Sequence, residues 1–272
     1  MRTDVRRIVV VGGGVMGGTL AGGFVRRDPR PDVTVVEKNA ERAAQLRAEL
    51  GVEVVDLADA GDALASADVV VLVVKPQDVP ALLADAGSRL RPGALVVSIA
   101  AGITTATIEA AVPAGVPVVR AMPNTPARID LGVTGISPGS SCPPEMVAVA
   151  RELMSTVGVV VEVPEELQDA VTAVSGSGPA YVFYLAEAMA AAGVELGLDE
   201  DTAALMAART VLGAASLLVA SGEPAAELRR QVTSPGGTTA AAIGTLDRLG
   251  AAEAVRAAIT AARDRGRELS GG

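Results

Sequence analysis

The chain of 272 residues is 50% hydrophobic and 20% charged, so its apolar side chains suffice for one large core or two medium ones, which excludes a disordered protein. Its formal net charge of −9 argues against nucleic acid and against an anionic membrane as partners, because neither attracts that sign. Two Phe, two Tyr and no Trp leave few rings on which bases could stack.

Histidine is absent from the sequence, which removes the commonest general base and the commonest zinc ligand. We therefore expect neither a Ser-His-Asp triad nor a bound metal. The one cysteine, Cys142, lies among polar residues and prolines with no base nearby, and we predict an unreactive thiol. Residues 1–7 are charged and lead directly into an apolar run without a secretory signal, which favours a cytoplasmic protein.

Residues 1–164 alternate short apolar runs with helical segments. Most of the runs lack polar alternation, which is typical of parallel strands buried on both faces and predicts an α/β domain of the Rossmann type. No strand is predicted in the Pro- and Gly-rich passage from Met122 to Pro144. The predicted strands are Ile8–Val11, Val33–Val36, Val52–Val54, Val69–Val74, Ala94–Ile99, Val116–Arg120 and Val159–Val163, and the predicted helices are Met16–Arg26, Ala40–Leu50, Val79–Leu90, Thr105–Ala111 and Glu145–Ser155.

Residues 165–272 show no strand pattern, and Ala-rich stretches predict an all-α domain with helices at Ala180–Ala192, Thr202–Ala220 and Ala251–Glu268. The stretch Thr202–Ala220 is apolar nearly all round, yet it is too short and too interrupted for a convincing membrane span. A helix of this kind needs cover on several sides. We therefore predict a homodimer through this domain, with a self-sufficient monomer as the alternative.

The first predicted strand runs directly into Gly12-Gly13-Gly14-Val15-Met16-Gly17, which fits the G-x-G-x-x-G turn that holds a dinucleotide pyrophosphate. Gly12 permits the tight turn, Gly14 lets the backbone approach the phosphates, and Gly17 lets the helix lie close to the strand. The helix N-terminus adds a partial positive charge. A purely structural glycine turn is the alternative interpretation.

Glu37 ends the second predicted strand, 20 residues past Gly17, where a carboxylate can bind the ribose hydroxyls of NAD(H). Lys38 and Arg42 follow it, and either could instead neutralise the 2′-phosphate of NADP(H), or simply be solvated. At this point the choice of cofactor is open.

The next strands are also followed by candidate groups, at the sheet edge where open α/β folds bind ligands. Lys75-Pro76 and Ala100-Ala101-Gly102 follow two of these strands, and Met122-Pro123-Asn124 offers an amide to the nicotinamide end. In the helical half, Ser175–Ala180 is explained by helix punctuation alone. The run Val232–Thr239, with paired glycines and hydroxyls before a helix, predicts an anion site for a small carboxylate.

Three segments, Val118–Asn124, Val174–Tyr181 and above all Val232–Thr239, resemble the signature segments of the pyrroline-5-carboxylate reductases, and the likeness spans practically the whole chain. The resemblance implies an NAD(P)H-dependent oxidoreductase that reduces the cyclic imine 1-pyrroline-5-carboxylate to L-proline, the last step of proline biosynthesis. It also implies a Rossmann domain followed by a helical dimerisation domain, with higher assembly of dimers in many members.

The resemblance further assigns roles to single residues. Those that would hold the pyrophosphate are Gly12, Gly14, Val15, Met16 and Gly17, and those that would line the nicotinamide end are Lys75, Pro76, Ala100, Gly102, Met122 and Asn124. The residues that would bind the substrate carboxylate are Ser234, Gly236, Gly237, Thr238 and Thr239. Thr172 and Thr239 are the candidate catalytic hydroxyls, since they would orient the imine nitrogen.

The chain departs from this pattern at Val15, where many relatives have Asn, and at Glu37, where phosphate-binding relatives often have Ser or Arg. NADPH is the cofactor that the resemblance implies, with NADH as the alternative. Two other functions stay open at this point. A dehydrogenase of small hydroxy acids would need a Lys or His to move a proton, and a catalytically silent nucleotide sensor would need no carboxylate site.

Overall fold

The computed structural model describes residues 5–269. The strands β1–β8 of this part are Arg7–Val11, Asp32–Val36, Glu53–Val55, Val69–Leu72, Leu95–Ser98, Val118–Met122, Gly132–Pro138 and Gly158–Glu162. The α-helices α1–α12 of the same part are Val15–Val25, Ala40–Leu50, Gly61–Ser66, Val79–Ala86, Thr105–Glu109, Pro144–Met154, Gln168–Val171, Gly178–Glu195, Glu200–Ser221, Ala225–Gln231, Thr238–Arg248 and Ala251–Leu269. A π-helix, Thr172–Gly176, follows α7.

The chain divides into two compact units, one of residues up to Gly176 together with those from Arg263 onward, and the other of Ser177–Ala262. The first unit holds the sheet, whose strand order is β3-β2-β1-β4-β5-β6-β7-β8. Every pair of neighbouring strands is parallel except β6 and β7, which are antiparallel, so β7 and β8 run opposite to the other strands. The predicted Rossmann-type fold class is confirmed. The domain limits 1–164 and 165–272 stay a prediction.

Two hydrophobic cores flank the sheet, because successive residues of a strand point to opposite faces. In β1, Ile8 and Val10 belong to one core, whereas Val9 and Val11 belong to the other. The first core also contains residues of α1, α2 and α6, and the second contains residues of α3 and α4. The near-continuous apolar sequence of the central strands follows from this burial on both faces.

The sequence located most elements to within two or three residues, but the prediction of no strand between Met122 and Pro144 was wrong. That passage contains β7, whose residues Val133, Gly135 and Ile136 give no apolar alternation that predicts a strand. Short helices were also missed, at Gly61–Ser66 and Ala225–Gln231, whereas the helix expected after the run Val232–Thr239 is present as Thr238–Arg248. The predicted helix Val79–Leu90 ends earlier, at Ala86, and its last residues form a 3-10 turn.

The second unit is all helical in its described residues, as predicted. Its longest helix, α9, is capped by Asp199, whose carboxylate accepts a hydrogen bond of 2.9 Å from the backbone N–H of Thr202. Within α9 only Ala203 and Ala207 are buried, so most of its apolar side chains are exposed in the single protomer. Among residues 5–269, α9 alone has the length and hydropathy of a membrane span, and 11% of its apolar window is buried. The prediction that this stretch is too short for a span was therefore wrong, because the helix runs to 22 residues.

Candidate functional site

The strands that carry the predicted cofactor residues end side by side. Val11 of β1 is paired with Val36 of β2 and with Leu72 of β4, Leu72 with Ser98 of β5, and Ser98 with Arg120 of β6. The loops that follow β1, β2, β4, β5 and β6 therefore emerge at one edge of the sheet. The strand order reverses between β1 and β4, and such a switch point is where open α/β folds bind their ligands.

The glycine loop after β1 has two positions, Gly12 and Gly17, at which a side chain would collide with the backbone. Gly12 has a φ of 107°, and a Cβ there would lie 2.4 Å from the carbonyl oxygen of Val73. A Cβ on Gly17 would lie 1.8 Å from the carbonyl oxygen of Gly12, so α1 packs against the turn at backbone distance. Gly14 differs, because no described atom lies within 4 Å of a Cβ built there and the residue is exposed.

The N-terminus of α1 is exposed to solvent and has no side-chain cap. Gly14 is its N-cap and has no side chain that could accept from the first N–H groups of the helix. Val15 is 65% exposed, whereas the side chain of Met16 packs against the core beneath the sheet. Backbone N–H groups at an open helix start, next to a glycine without neighbours, form a donor set that suits a pyrophosphate.

The Glu37 carboxylate lies beside this loop and is already hydrogen bonded. Its Oε2 accepts from the backbone N–H of Gly13 at 2.9 Å, and its Oε1 accepts from the backbone N–H of Asn39 at 2.7 Å. The Nε of Arg42 donates to the carbonyl oxygen of Gly13 at 2.8 Å. Lys38 is exposed and makes no ion pair within residues 5–269. The sequence placed these charges near the loop but gave no sign of their contacts with its backbone.

Lys75, Pro76, Ala100 and Gly102 lie at the same edge, as predicted from their positions after β4 and β5. Lys75 is exposed and precedes a 3-10 turn that begins at Pro76. Ala100 is buried, and its backbone N–H donates to the hydroxyl of Ser98 at 3.3 Å. Gly102 has a φ of 76°, a left-handed conformation that favours glycine.

Met122 and Asn124 follow β6 and are both buried. The amide of Asn124 is engaged at both ends, since its Nδ2 donates to the carbonyl oxygen of Ser175 at 3.0 Å and its Oδ1 accepts from the N–H of Val133 at 2.9 Å. Asn124 thus ties the loop after β6 to the start of β7 and to the π-helix. Direct contact of this amide with a nicotinamide stays a prediction, and the observed contacts give the residue a supporting role.

The π-helix contains the candidate catalytic residue Thr172. Its hydroxyl donates to the carbonyl oxygen of Gln168 at 2.9 Å, so the remaining capacity of that oxygen is to accept. Such π-helical turns are rare in proteins, and those that are found lie frequently at functional sites. Because Ser175 of the same turn is held by Asn124, the conformation of this segment is coupled to the sheet edge.

An ion cluster centred on Arg120 was missed by sequence reasoning. Arg120 lies within β6 at 5% exposure, with its Nη1 3.5 Å from Glu165 and its Nη2 3.9 Å from Asp169. Glu165 also accepts from the N–H and the hydroxyl of Thr105, at 2.8 and 2.6 Å. A single arginine inside an apolar strand is the signal that could have pointed to buried partners. The cluster joins β6 to α5 and to the segment that leads into the π-helix.

The predicted carboxylate site belongs to the second unit and begins with a tight turn. The N–H of Gly237 donates to the carbonyl oxygen of Ser234 at 3.1 Å, and Gly236 has a φ of 71°, as a turn of type II requires. The helix α11 then starts at Thr238 with Gly237 as its N-cap, which has no side chain to cap it. Within residues 5–269, the hydroxyls of Ser234, Thr238 and Thr239 form no hydrogen bond, so both hydroxyl groups and the first N–H groups of α11 are available as donors.

Two further features define what this structure offers. Among the described residues, no three His, Cys, Asp or Glu side chains are grouped so that they could hold a metal ion.

A groove of about 660 Å³ opens beside β2 and β3, but none of the predicted site residues lines it. Its lining mixes charges of both signs, as Arg7, Arg30, Asp32 and Asp59 illustrate.

The fold and the bare glycine turn define the class of this protein, a two-unit oxidoreductase of the dinucleotide-binding type. In agreement, residues 7–102 match the family described as NADP oxidoreductase, coenzyme F420-dependent. Residues 165–269 match the family described as pyrroline-5-carboxylate reductase dimerisation. The chain therefore contains the dimerisation region of that family.

Full-length relatives narrow the class to one family. The chain is 42% identical to the pyrroline-5-carboxylate reductase of Pseudomonas aeruginosa, with 97% of each chain covered. It is 41% identical to the enzyme of Mycobacterium tuberculosis, over 99% of this chain and 98% of the relative. The solved structure of the Coxiella burnetii enzyme superposes with a TM-score of 0.89 at 35% identity, covering 98% of this chain and 99% of that one. The chain belongs to the pyrroline-5-carboxylate reductase family, and the prediction from its motifs is confirmed.

Cys142 is half-buried and lies near acidic side chains. Its burial, and secondarily the negative charges of Glu109, Glu145 and Glu162, raise the pKa of the thiol from 9.0 to about 11. Since the thiolate is the reactive form, the thiol is protonated and unreactive at neutral pH.

We expect iodoacetamide to label Cys142 of the folded protein very slowly at pH 7.5, and faster as the pH rises towards the raised pKa of about 11. The same chain unfolded in urea should react at a lower pH, because burial no longer disfavours the thiolate. Mass spectrometry of the labelled fraction against pH measures both curves. Half-maximal labelling of the folded protein near or below about pH 8, the range of an ordinary thiol, would contradict this prediction.

Proposed function

We propose that this chain reduces 1-pyrroline-5-carboxylate to L-proline with NADPH as the hydride donor, and that NADH is the alternative donor. The observation that carries the proposal is the bare start of α11 at Ser234–Thr239, with its unbonded hydroxyls. A nucleotide sensor needs no second anion site, and a hydroxy acid dehydrogenase needs a Lys or His beside its substrate. The chain has no histidine at all, and from Glu165 onward it has no lysine.

The residues at the sheet edge fit a dinucleotide. A Cβ on Gly14 would enter the space in front of α1 without meeting a described atom, which is the room that a pyrophosphate needs. Val15, Met16 and Gly17 would hold that group through backbone N–H donors. Gly12 would shape the turn, since its own N–H already donates to the carbonyl oxygen of Val36 at 2.9 Å. Lys38 would bind a 2′-phosphate. Lys75, Pro76, Ala100, Gly102, Met122 and Asn124 would form the wall at the nicotinamide end. When bound, the cofactor supplies the hydride that reduces the C=N bond.

The substrate site needs only to orient the ring of the imine and to bind its carboxylate. Ser234, Gly236, Gly237, Thr238 and Thr239 would bind the carboxylate through N–H and O–H donors. This contact fixes which face of the five-membered ring is presented. Reduction then adds a hydride to C5 and leaves the nitrogen with the proton that activated it.

Two hydroxyls are proposed for the imine nitrogen. Thr172 donates to the carbonyl oxygen of Gln168, so its oxygen presents lone pairs and would accept from the N–H of a protonated imine. Thr239 has no hydrogen bond within the described residues and is free to act in either direction. Neither role needs a general base, which agrees with a chain that has no histidine.

The partners that we propose are the small-molecule substrate and a second copy of the chain. The exposed apolar side chains of α9, including Leu205, Leu212 and Val219, would be covered in a homodimer through the helical domain, with higher assembly of dimers as a further step. We propose a cytoplasmic location, and no nucleic acid or membrane as a partner.

The wild-type protein should oxidise NADPH or NADH in the presence of 1-pyrroline-5-carboxylate and form proline in equal amount. Absorbance of the reduced cofactor at steady state measures the rate with each donor, and amino-acid analysis measures the product. A small 2-keto acid replaces the imine as the control substrate. Turnover of the keto acid but not of the imine would contradict the proposed function.

Gly14→Val should lower the affinity for both cofactors while the protein stays folded. The new side chain meets no described atom in the free protein, but it fills the space where the pyrophosphate would lie. Gly17→Ala is the matched contrast, because its Cβ would collide with the carbonyl oxygen of Gly12 and should lower the thermal stability. Dinucleotide titration and thermal unfolding separate the two effects. Unchanged binding by Gly14→Val would place the cofactor elsewhere.

Gly237→Val should abolish turnover and leave cofactor affinity unchanged, because a Cβ there would lie 2.6 Å from the hydroxyl of Ser234 and disturb the carboxylate site. Thr239→Val removes one hydroxyl only and should lower kcat/KM by about 5- to 30-fold. Steady-state kinetics and proline titration of each variant provide the measurement. Wild-type turnover by Gly237→Val would remove the basis of the carboxylate assignment.

A further inference from the structure

Gly13 is a buried residue of the glycine loop, and side chains form hydrogen bonds with both polar atoms of its backbone. Glu37 accepts from its N–H at 2.9 Å, and Arg42 donates to its carbonyl oxygen at 2.8 Å. Buried backbone groups usually pair with other backbone groups, so two side-chain partners on one residue are unusual. The next residue, Gly14, is exposed and has no neighbour within 4 Å of a Cβ position.

The two side chains form a closed ring of contacts with the loop. Glu37 also accepts from the N–H of Asn39, and the side chain of Asn39 accepts from the N–H of Arg42 at 2.9 Å, which caps α2. The Nε of Arg42 donates to the carbonyl oxygen of Gly13, and this contact closes the ring. A disturbance at any member of this ring therefore reaches the backbone of the loop.

Arg42 is also packed against α1, the helix whose start the loop precedes. A Cβ on Gly18 would lie 2.4 Å from Nη2 of Arg42, so the guanidinium lies directly on this helix. Its Nη1 donates to the side-chain oxygen of Gln45 at 3.3 Å, and the side chain is 28% exposed. The guanidinium is thus committed to α1, to α2 and to Gly13.

We propose that Glu37 and Arg42 are positioning residues that fix the peptide of Gly13, and thereby hold the N–H groups of Gly14 and Val15 in the arrangement that a pyrophosphate needs. The proposal rests on the cofactor binding in the proposed function. Both carboxylate oxygens of Glu37 already accept from N–H groups, and Arg42 already donates to a carbonyl. These contacts with the loop, and not contacts with the ribose, are what we propose the two side chains contribute to cofactor binding, so their effect is the same for NADH and for NADPH.

This assignment differs in its outcome from a specificity role. If Glu37 bound the ribose hydroxyls or repelled a 2′-phosphate, its replacement would shift the preference towards NADPH. If Arg42 bound a 2′-phosphate, its replacement would weaken NADPH alone. A residue that positions the pyrophosphate loop weakens both cofactors equally, because both carry the same pyrophosphate.

The test is titration of NADPH and NADH into the free protein, for the wild type, Glu37→Gln, Arg42→Met and the double variant. Each single variant should raise Kd for both cofactors by about 10- to 150-fold, the loss expected for one charged hydrogen bond. The double variant should be weaker than the worse single by no more than about threefold, because either change already releases Gly13. In turnover, the cofactor KM should rise while kcat and the imine KM stay within about twofold.

Glu41→Gln is the matched control, since Glu41 lies exposed on α2 and forms no hydrogen bond or ion pair within residues 5–269. It should bind both cofactors as the wild type does. Amide hydrogen exchange of the free protein gives a readout that needs no cofactor. Glu37→Gln should speed exchange at Gly13 while the amides of β1 keep their protection, which also shows that the fold is intact. Should Glu37→Gln not fold, Arg42→Met tests the same peptide from its carbonyl side.

A change of about tenfold or more in the ratio of the two Kd values would overturn the proposal, and so would unchanged affinity in both single variants. A wild type that binds dinucleotide but does not reduce the imine contradicts only the proposed function. A wild type that binds neither dinucleotide contradicts both.

Discussion

The turn between β1 and α1 depends on a steric constraint that leaves no room for side chains. The backbone of Gly12 passes so close to the end of β4 that a Cβ would meet a carbonyl oxygen at 2.4 Å, and Gly17 approaches Gly12 more closely still. These contacts fix where α1 begins and how it packs on the sheet. The bare helix start, the exposed Gly14 and the buried Gly13 all follow from that position.

The same edge shows how a short motif is supported by residues distant in sequence. Glu37 and Arg42 reach the loop from the end of β2 and from α2, and Asn124 holds the π-helix from the end of β6. The hydrogen bonds by which these side chains reach the loop and the π-helix all go to backbone atoms. Their geometry therefore constrains the path of the main chain, which is what a site that binds ligands through N–H groups requires.

The sequence predicted the elements whose signal is local. Apolar runs located the strands of the Rossmann half. The helix α2 was predicted with its observed limits, and in the structure Asn39 and Gly51 are its N-cap and C-cap. The strand β7 was not predicted because it is rich in Gly and polar residues, so its place between β6 and β8 leaves no local apolar signal. The hydrogen bonds of Glu37 and Asn124 were not predicted for a related reason. A residue type and its spacing indicate a charge or an amide, but not which backbone atom it meets across the fold.

The exposed apolar face of α9 has a consequence for the thermodynamics of the chain. Ala203 and Ala207 are its only buried residues in the single protomer, so much of the hydrophobic stabilisation of this helix has to come from association. Where a second copy supplies that cover, folding and association are linked by mass action, and the free energy of unfolding depends on the protein concentration. Dilution alone then lowers the midpoint of thermal unfolding, so a Tm measured at one concentration describes the assembly at that concentration and not the chain by itself.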